Sequence, residues 1–126
     1  MFADTKAFSG FAVDDLQKAR EFYAETLGLK VSMLDEETGL MVLHLAGDRD
    51  TFVYAKPDHT PATYTILNFE VGDIDEAVDE LGARGVTFER YEGFEQDEKG
   101  IARGPQGPDI AWFTDPAGNV LAVLRN

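Results

Sequence analysis

Phe11, Val13, Asp15, Leu16 and Ala19 are matched, 58 positions further on, by Phe69, Val71, Asp73, Ile74 and Ala77. In both copies an apolar alternation runs into aspartate and then into an amphipathic helical pattern. A repeat spanning about half the chain restricts the fold to two equivalent modules. It also indicates that the same elements of each module should build a shared binding site.

At 126 residues the chain is expected to be one domain, large enough to bury a core without disulfides or a structural metal. Its hydrophobic fraction of 44% and aromatic fraction of 11% are those of a folded protein. It contains no cysteine, which excludes disulfides, thiolate metal sites and a cysteine nucleophile. Met1 to Lys6 shows no basic start before an apolar run, and no apolar stretch approaches membrane-spanning length, so a cytoplasmic location is the expectation. The net charge of −13 repels phosphate backbones and anionic lipid surfaces, so neither nucleic acid nor membrane is expected as a partner.

Phe8 to Val13 alternates as a half-buried strand, and Asp14 or Asp15 supplies the N-cap of a helix. That helix buries Leu16, Ala19, Phe22, Tyr23 and Leu27 and stops at Gly28. Strands are predicted over 30–34, 40–45 and 51–55, giving the order β-α-β-β-β. Pro57 and Pro61 make a stiff connector between modules of about 6–56 and 63–126. The second module repeats the order. It has a strand over 64–71, a helix capped by Asp73 and ended by Gly82 and Gly85, and strands over 86–91, 110–114 and 120–124. The polar, glycine-rich segment from Gly93 to Asp109 has the length of a binding loop or lid, with Lys99 or Arg103 available to close over a bound molecule. The default reading of the segment is a solvated charged loop, and the lid is the functional alternative.

The doubled β-α-β-β-β unit, with Asp115-Pro116-Ala117-Gly118-Asn119 before the last strand, resembles the vicinal oxygen chelate superfamily of glyoxalases, extradiol dioxygenases and bleomycin- and fosfomycin-resistance proteins. Phe11 to Leu16, Phe22-Tyr23, Leu27-Gly28-Leu29 and Asp73 to Val78 look like its usual helix entries, and the resemblance covers nearly the whole chain. It implies an α+β fold in which two tandem βαβββ modules form a curled mixed sheet around a concave pocket. It also implies a homodimer. The Asp-Pro-Ala-Gly-Asn segment itself is read as a turn.

Metal-dependent members bind a divalent ion through His and Glu on the first and last strands of each module. Carried over by residue, those positions are Phe8, Ile66, Ala122 and Val53, with Tyr54 replacing Val53 if the turn alignment shifts by one. None is an imidazole or carboxylate ligand. The chain therefore resembles a member without the metal ligands, and neither metal nor cofactor is expected.

Strand parity then sets the pocket lining. Phe8, Gly10 and Ala12 go together, as do Ile66, Asn68 and Glu70, and Val120, Ala122 and Leu124. The result is a mostly apolar wall with a few polar groups, which suits a small-molecule ligand. His44 is a candidate base or ligand contact, or else a histidine satisfied by a neighbour. His59 is expected to be exposed. Trp112 is either a platform for a flat ligand or a core or interface aromatic, and Phe113 carries the same ambiguity on the opposite face. The expected ligand-binding set is Phe8, Gly10, His44, Val53, Ile66, Asn68, Trp112, Ala122 and Leu124. Three functions remain: a metal-independent protein sequestering an aromatic or amphipathic natural product such as an antibiotic, a lyase or isomerase acting on an activated carbonyl compound, and a scaffold with a vestigial pocket.

Overall fold

Alternation at 8–13 and 40–55 builds the first sheet. In the computed structural model, which describes residues 1–105 and 107–126, β1 (Ser9–Val13) pairs parallel with β4 (Arg49–Ala55). β4 pairs antiparallel with β3 (Leu40–Leu45), and β3 with β2 (Lys30–Asp35), giving the order β1-β4-β3-β2. Between β1 and β2 lies α1 (Leu16–Glu21), continued by a π-helical turn, Phe22–Thr26. Asp15 rather than Asp14 is the cap, its carboxylate accepting from the Lys18 amide at 3.1 Å. The Leu27 amide reaches back five residues to the Phe22 carbonyl, a widening that the regular helical spacing did not anticipate. Ala19 and Tyr23 are buried, and the Tyr23 ring meets Phe11 at 5.8 Å.

The second half repeats the crossover. β5 (Thr65–Glu70) pairs parallel with β7 (Val120–Arg125), and β7 antiparallel with β6 (Asp109–Thr114), giving the order β5-β7-β6. α2 (Ile74–Ala83), capped by Asp73 through the Glu76 amide, buries Ile74 and Val78. Gly82 lies inside this helix, and Gly85, at φ 91°, follows its C-cap Arg84. The chain forms two mixed sheets of four and three strands, an α+β architecture, and divides into two compact units, Met1–His59 and Thr60–Asn126.

The strand predicted over 86–91 does not form. A single bridge joins Phe88 to Phe113, and the Glu89 amide donates to the Trp112 carbonyl at 2.7 Å. Beyond it the Gln96 side chain takes the backbone groups that a ladder would use. Its Oε1 accepts from the Tyr91 amide at 2.8 Å, and its Nε2 donates to the Glu89 and Gly100 carbonyls at 2.9 and 2.8 Å. A side-chain amide thus competes with strand pairing and wins. The Asp115–Asn119 turn has the expected form, with its two ends buried and Pro116 exposed. The Asp115 carboxylate accepts from the amides of Ala117 and Asn119 and from the Asn119 side chain, each at 2.9 Å.

Gly39 closes the β2–β3 hairpin at φ 72°, where a β-carbon would stand 2.8 Å from Ala55 Cβ. Gly93 has a similar φ of 90° but faces open space. Gly39→Ala should therefore lose roughly 3 kcal/mol, combining left-handed strain with overpacking. Gly93→Ala should lose about 1 kcal/mol from strain alone. Urea unfolding midpoints of the two variants at unchanged m-value check this ordering.

Candidate functional site

Register decides which predicted residues share a surface. In the first unit Gly10 pairs with Phe52, Phe52 with Val42, and His44 with Asp50 and Lys30. Phe8, Gly10, Phe52, Tyr54, Asp50 and His44 therefore lie on one face. Val53 does not: it pairs with Phe11 and Met41 on the opposite face and is fully buried. Of the two residues proposed for the last strand of this module, only Tyr54 shares a face with Phe8. The strand alternation left them one residue apart, and such a shift exchanges faces.

Phe8 is 66% exposed and its ring lies 4.4 Å from that of Phe52. These two rings wall a cleft of about 490 Å³ whose rim carries Lys6, Asp48, Arg49 and Asp50. Beside it, His44 is held at both nitrogens. Nδ1 lies 3.0 Å from Asp50 Oδ1, and Nε2 lies 2.7 Å from Ser32 Oγ. The His44 and Asp50 side chains are 33% and 46% exposed, so the group meets solvent. Ser32 and Asp50 were not singled out from the sequence. Counted from the Asp35–Leu40 pair Ser32 would fall opposite Leu43; the register shift between Met33 and Asp35 sets it opposite Val42 instead, diagonal to His44. His59, expected to be exposed, is half-buried, and its amide donates to the Lys56 carbonyl at 2.9 Å.

In the second unit Asn68, Ala122 and Trp112 form one cross-strand row, and Glu70, Leu124 and Ile110 the next. A bulge between Thr65 and Leu67 sets Thr65 opposite Val120 and leaves Ile66 without a register partner, outside the row it was expected to join. Asn68 is exposed, but Ala122 and Trp112 are buried with Ala102 and Val120 in a cluster that Tyr91 and Ile110 extend. The Trp112 ring is met by Tyr91 at 5.4 Å and by Phe94 at 5.0 Å. The indole is thus packed by its own module. Phe113, on the other face, is fully buried against Phe88 at 5.8 Å.

The cations of the 93–109 segment, of which Gln106 lies outside the described residues, point to α2. Lys99 Nζ lies 3.0 Å from Asp79 and 3.4 Å from Asp75, while Arg103 reaches Asp75 at 2.8 Å and Asp97 at 3.0 Å. Both cations considered for a closing role are thus engaged by carboxylates of α2 and of their own segment. The hydrogen bond from Arg103 holds the Asp75 carboxyl below its ordinary range, helped by the charges of Arg103 and Lys99. Burial pushes Asp97 upward, but bonds from the Ile101 amide, Arg103 and the Lys99 amide outweigh it and leave this group lowered too.

Residues 7–123 match the Glyoxalase/Bleomycin resistance protein/Dioxygenase superfamily. The chain belongs to that superfamily. It is 27% identical over 128 residues to the uncharacterised protein YraH of Bacillus subtilis (strain 168), covering 90% of this chain and 91% of YraH. Two solved superfamily-like structures share the fold. TnmS3, an antibiotic binding protein from Streptomyces sp. CB03234, superposes with a TM-score of 0.70 at 23% identity, covering 97% of each chain. The fosfomycin resistance protein FosX from Listeria monocytogenes gives 0.73 at 15% identity, covering 98% of this chain and 93% of its own. The divalent ion used by chelating members of the superfamily does not fit the residues present. Phe8, Tyr54, Ile66 and Ala122 supply no imidazole or carboxylate, and among the described residues no three His, Cys, Asp or Glu side chains are grouped to hold a metal.

The lowered Asp75 and Asp97 carboxyls give the loop clamp a defined pH response. A carboxyl whose value falls on folding stabilises the protein above its ordinary value of 3.8 and loses that contribution as pH drops through the depressed value. Asp75→Asn should therefore melt below the unsubstituted protein at neutral pH, and the gap should close as the solution is acidified well below 3.8. Added salt should shrink the gap as well, because these pairs are exposed. Melting temperature against pH at two ionic strengths reads both effects.

Proposed function

We propose that this protein binds a small aromatic or amphipathic molecule, such as an antibiotic or another natural product, without a metal ion. The observation that carries the reading is the Phe8–Phe52 pair walling a cleft with charged residues on its rim. Apolar walls supply affinity, and a few polar groups fix orientation. Phe8, exposed beside the Phe52 ring, offers a ligand apolar surface to cover. The non-chelating residues at the strand positions support a metal-independent role, and the fold is shared with an antibiotic binding protein and a fosfomycin resistance protein. Pairing as a homodimer is part of this proposal. A second reading, a lyase or isomerase acting on an activated carbonyl compound with His44 as its base, draws on the hydrogen bonds that orient that imidazole.

Native mass spectrometry of protein purified without chelator, followed by thermal-shift screening of aromatic natural products, tests the proposal. The expected result is a dimer without stoichiometric metal and a ligand whose stabilisation is unchanged by chelator. Phe8→Ala and Phe52→Ala should each weaken that ligand about tenfold, the loss of one aromatic contact. One divalent ion per chain, or a ligand indifferent to both substitutions, would overturn the reading. A ligand retained but turned over, with turnover lost in His44→Ala, would favour the lyase or isomerase.

A further inference from the structure

The first unit carries an arrangement that small-molecule binding does not require. Ser32 Oγ, His44 and Asp50 form a continuous chain, with 2.7 Å from the hydroxyl to Nε2 and 3.0 Å from Nδ1 to the carboxylate. In the neutral imidazole, an ionised Asp50 can only accept, so Nδ1 carries the proton and donates to it. Nε2 is then the lone-pair acceptor facing the Ser32 hydroxyl. The three groups come from three adjacent strands, β2, β3 and β4, whose ladders hold their backbones rigidly. Nucleophile, base and orienting carboxylate at hydrogen-bond distance, in that order, constitute the geometry of an activated serine.

We propose that Ser32 is a nucleophile activated by His44 and Asp50, and that this face transfers acyl groups from small activated esters. Ser32 Oγ attacks the carbonyl carbon while its proton passes to His44 Nε2. The carbon–oxygen bond to the leaving group then breaks, the leaving oxygen keeps the electron pair, and the imidazolium returns the proton to it. A water molecule, deprotonated by His44, then attacks the acyl carbon; the bond from that carbon to Oγ breaks, Oγ takes the proton back from His44, and the carboxylic acid leaves. Asp50 holds the imidazole in the required tautomer and stabilises its charge. Asp50 is also part of the rim of the Phe8–Phe52 cleft, which neither Ser32 nor His44 lines. The site is open to water and β2 is the outer strand of the sheet, so the carbonyl develops charge in a high-dielectric setting. The substrates are therefore aryl or enol esters, whose leaving groups depart easily, rather than amides.

Serine chemistry can be assigned cleanly here, because Ser9 is the only other serine in the chain and is hydrogen-bonded to Thr51 Oγ1 at 3.3 Å. The test is incubation with diisopropyl fluorophosphate, in which Oγ displaces fluoride from phosphorus, followed by intact-mass measurement and peptide mapping. p-Nitrophenyl acetate hydrolysis is followed in parallel. The expected outcome is a single adduct on Ser32, absent from Ser32→Ala and retained in Ser9→Ala. His44→Ala should slow labelling roughly 100-fold, the worth of a positioned base, with a smaller loss in Asp50→Asn. Melting curves of each variant separate loss of reactivity from loss of fold. No adduct on Ser32 in the folded, unsubstituted protein overturns the proposal, as does labelling that proceeds equally fast in folded His44→Ala. Ligand binding at Phe8 and Phe52 is measured separately, so either proposal can fail while the other stands.

Discussion

Each half of the molecule is closed by one parallel ladder, β1 with β4 and β5 with β7. Parallel neighbours cannot be joined by a tight turn, so each closure requires a helix and a returning hairpin between its strands. That requirement accounts for the order strand, helix, strands in both halves. It also fixes which side chains share a surface. Gly10 opposite Phe52 places the Phe8–Phe52 rings and His44 on one face, and Asn68 opposite Ala122 builds the corresponding face of the second unit.

The two corresponding faces have diverged in use. In the second unit the segment after α2 folds back through Tyr91, Phe94 and Ala102 and packs on Trp112, so that face is part of a core. The Gln96 amide holds the segment in place, and Lys99 and Arg103 fasten it to the acidic side of α2. In the first unit the hairpin between β3 and β4 is short, and the equivalent face keeps an exposed phenylalanine, a cleft and a half-exposed histidine. A net charge of −13 leaves few cations, and several of those present are paired locally: Lys56 with Asp58, Arg84 with Glu80, and Lys99 and Arg103 with α2. Such exposed pairs add little to stability one at a time. Their effect here is to orient a loop.

How much could be read beforehand varies with the range of the interactions involved. The caps at Asp15 and Asp73 and the strands 40–45 and 120–125 follow from short-range patterns, and the structure places them within a residue or so of expectation. The strand over 86–91 failed because its competitor, Gln96, lies in a segment with no periodicity to read. Val53 and Ile66 left the predicted surface because of a one-residue uncertainty and a bulge, each enough to reverse or interrupt a strand's facing.

The sequence by itself determined the doubled module, the helix caps, the acidic surface and the absence of imidazole or carboxylate at Phe8, Val53, Ile66 and Ala122. All of these depend on residue identity or on spacings of a few residues. Only the tertiary structure decided that Tyr54 rather than Val53 shares a face with Phe8, that Trp112 is packed by its own loop, and that Ser32, His44 and Asp50 meet. Those outcomes depend on strand register. Register is a collective choice made by the whole sheet when it buries one face, and no short window of sequence contains it.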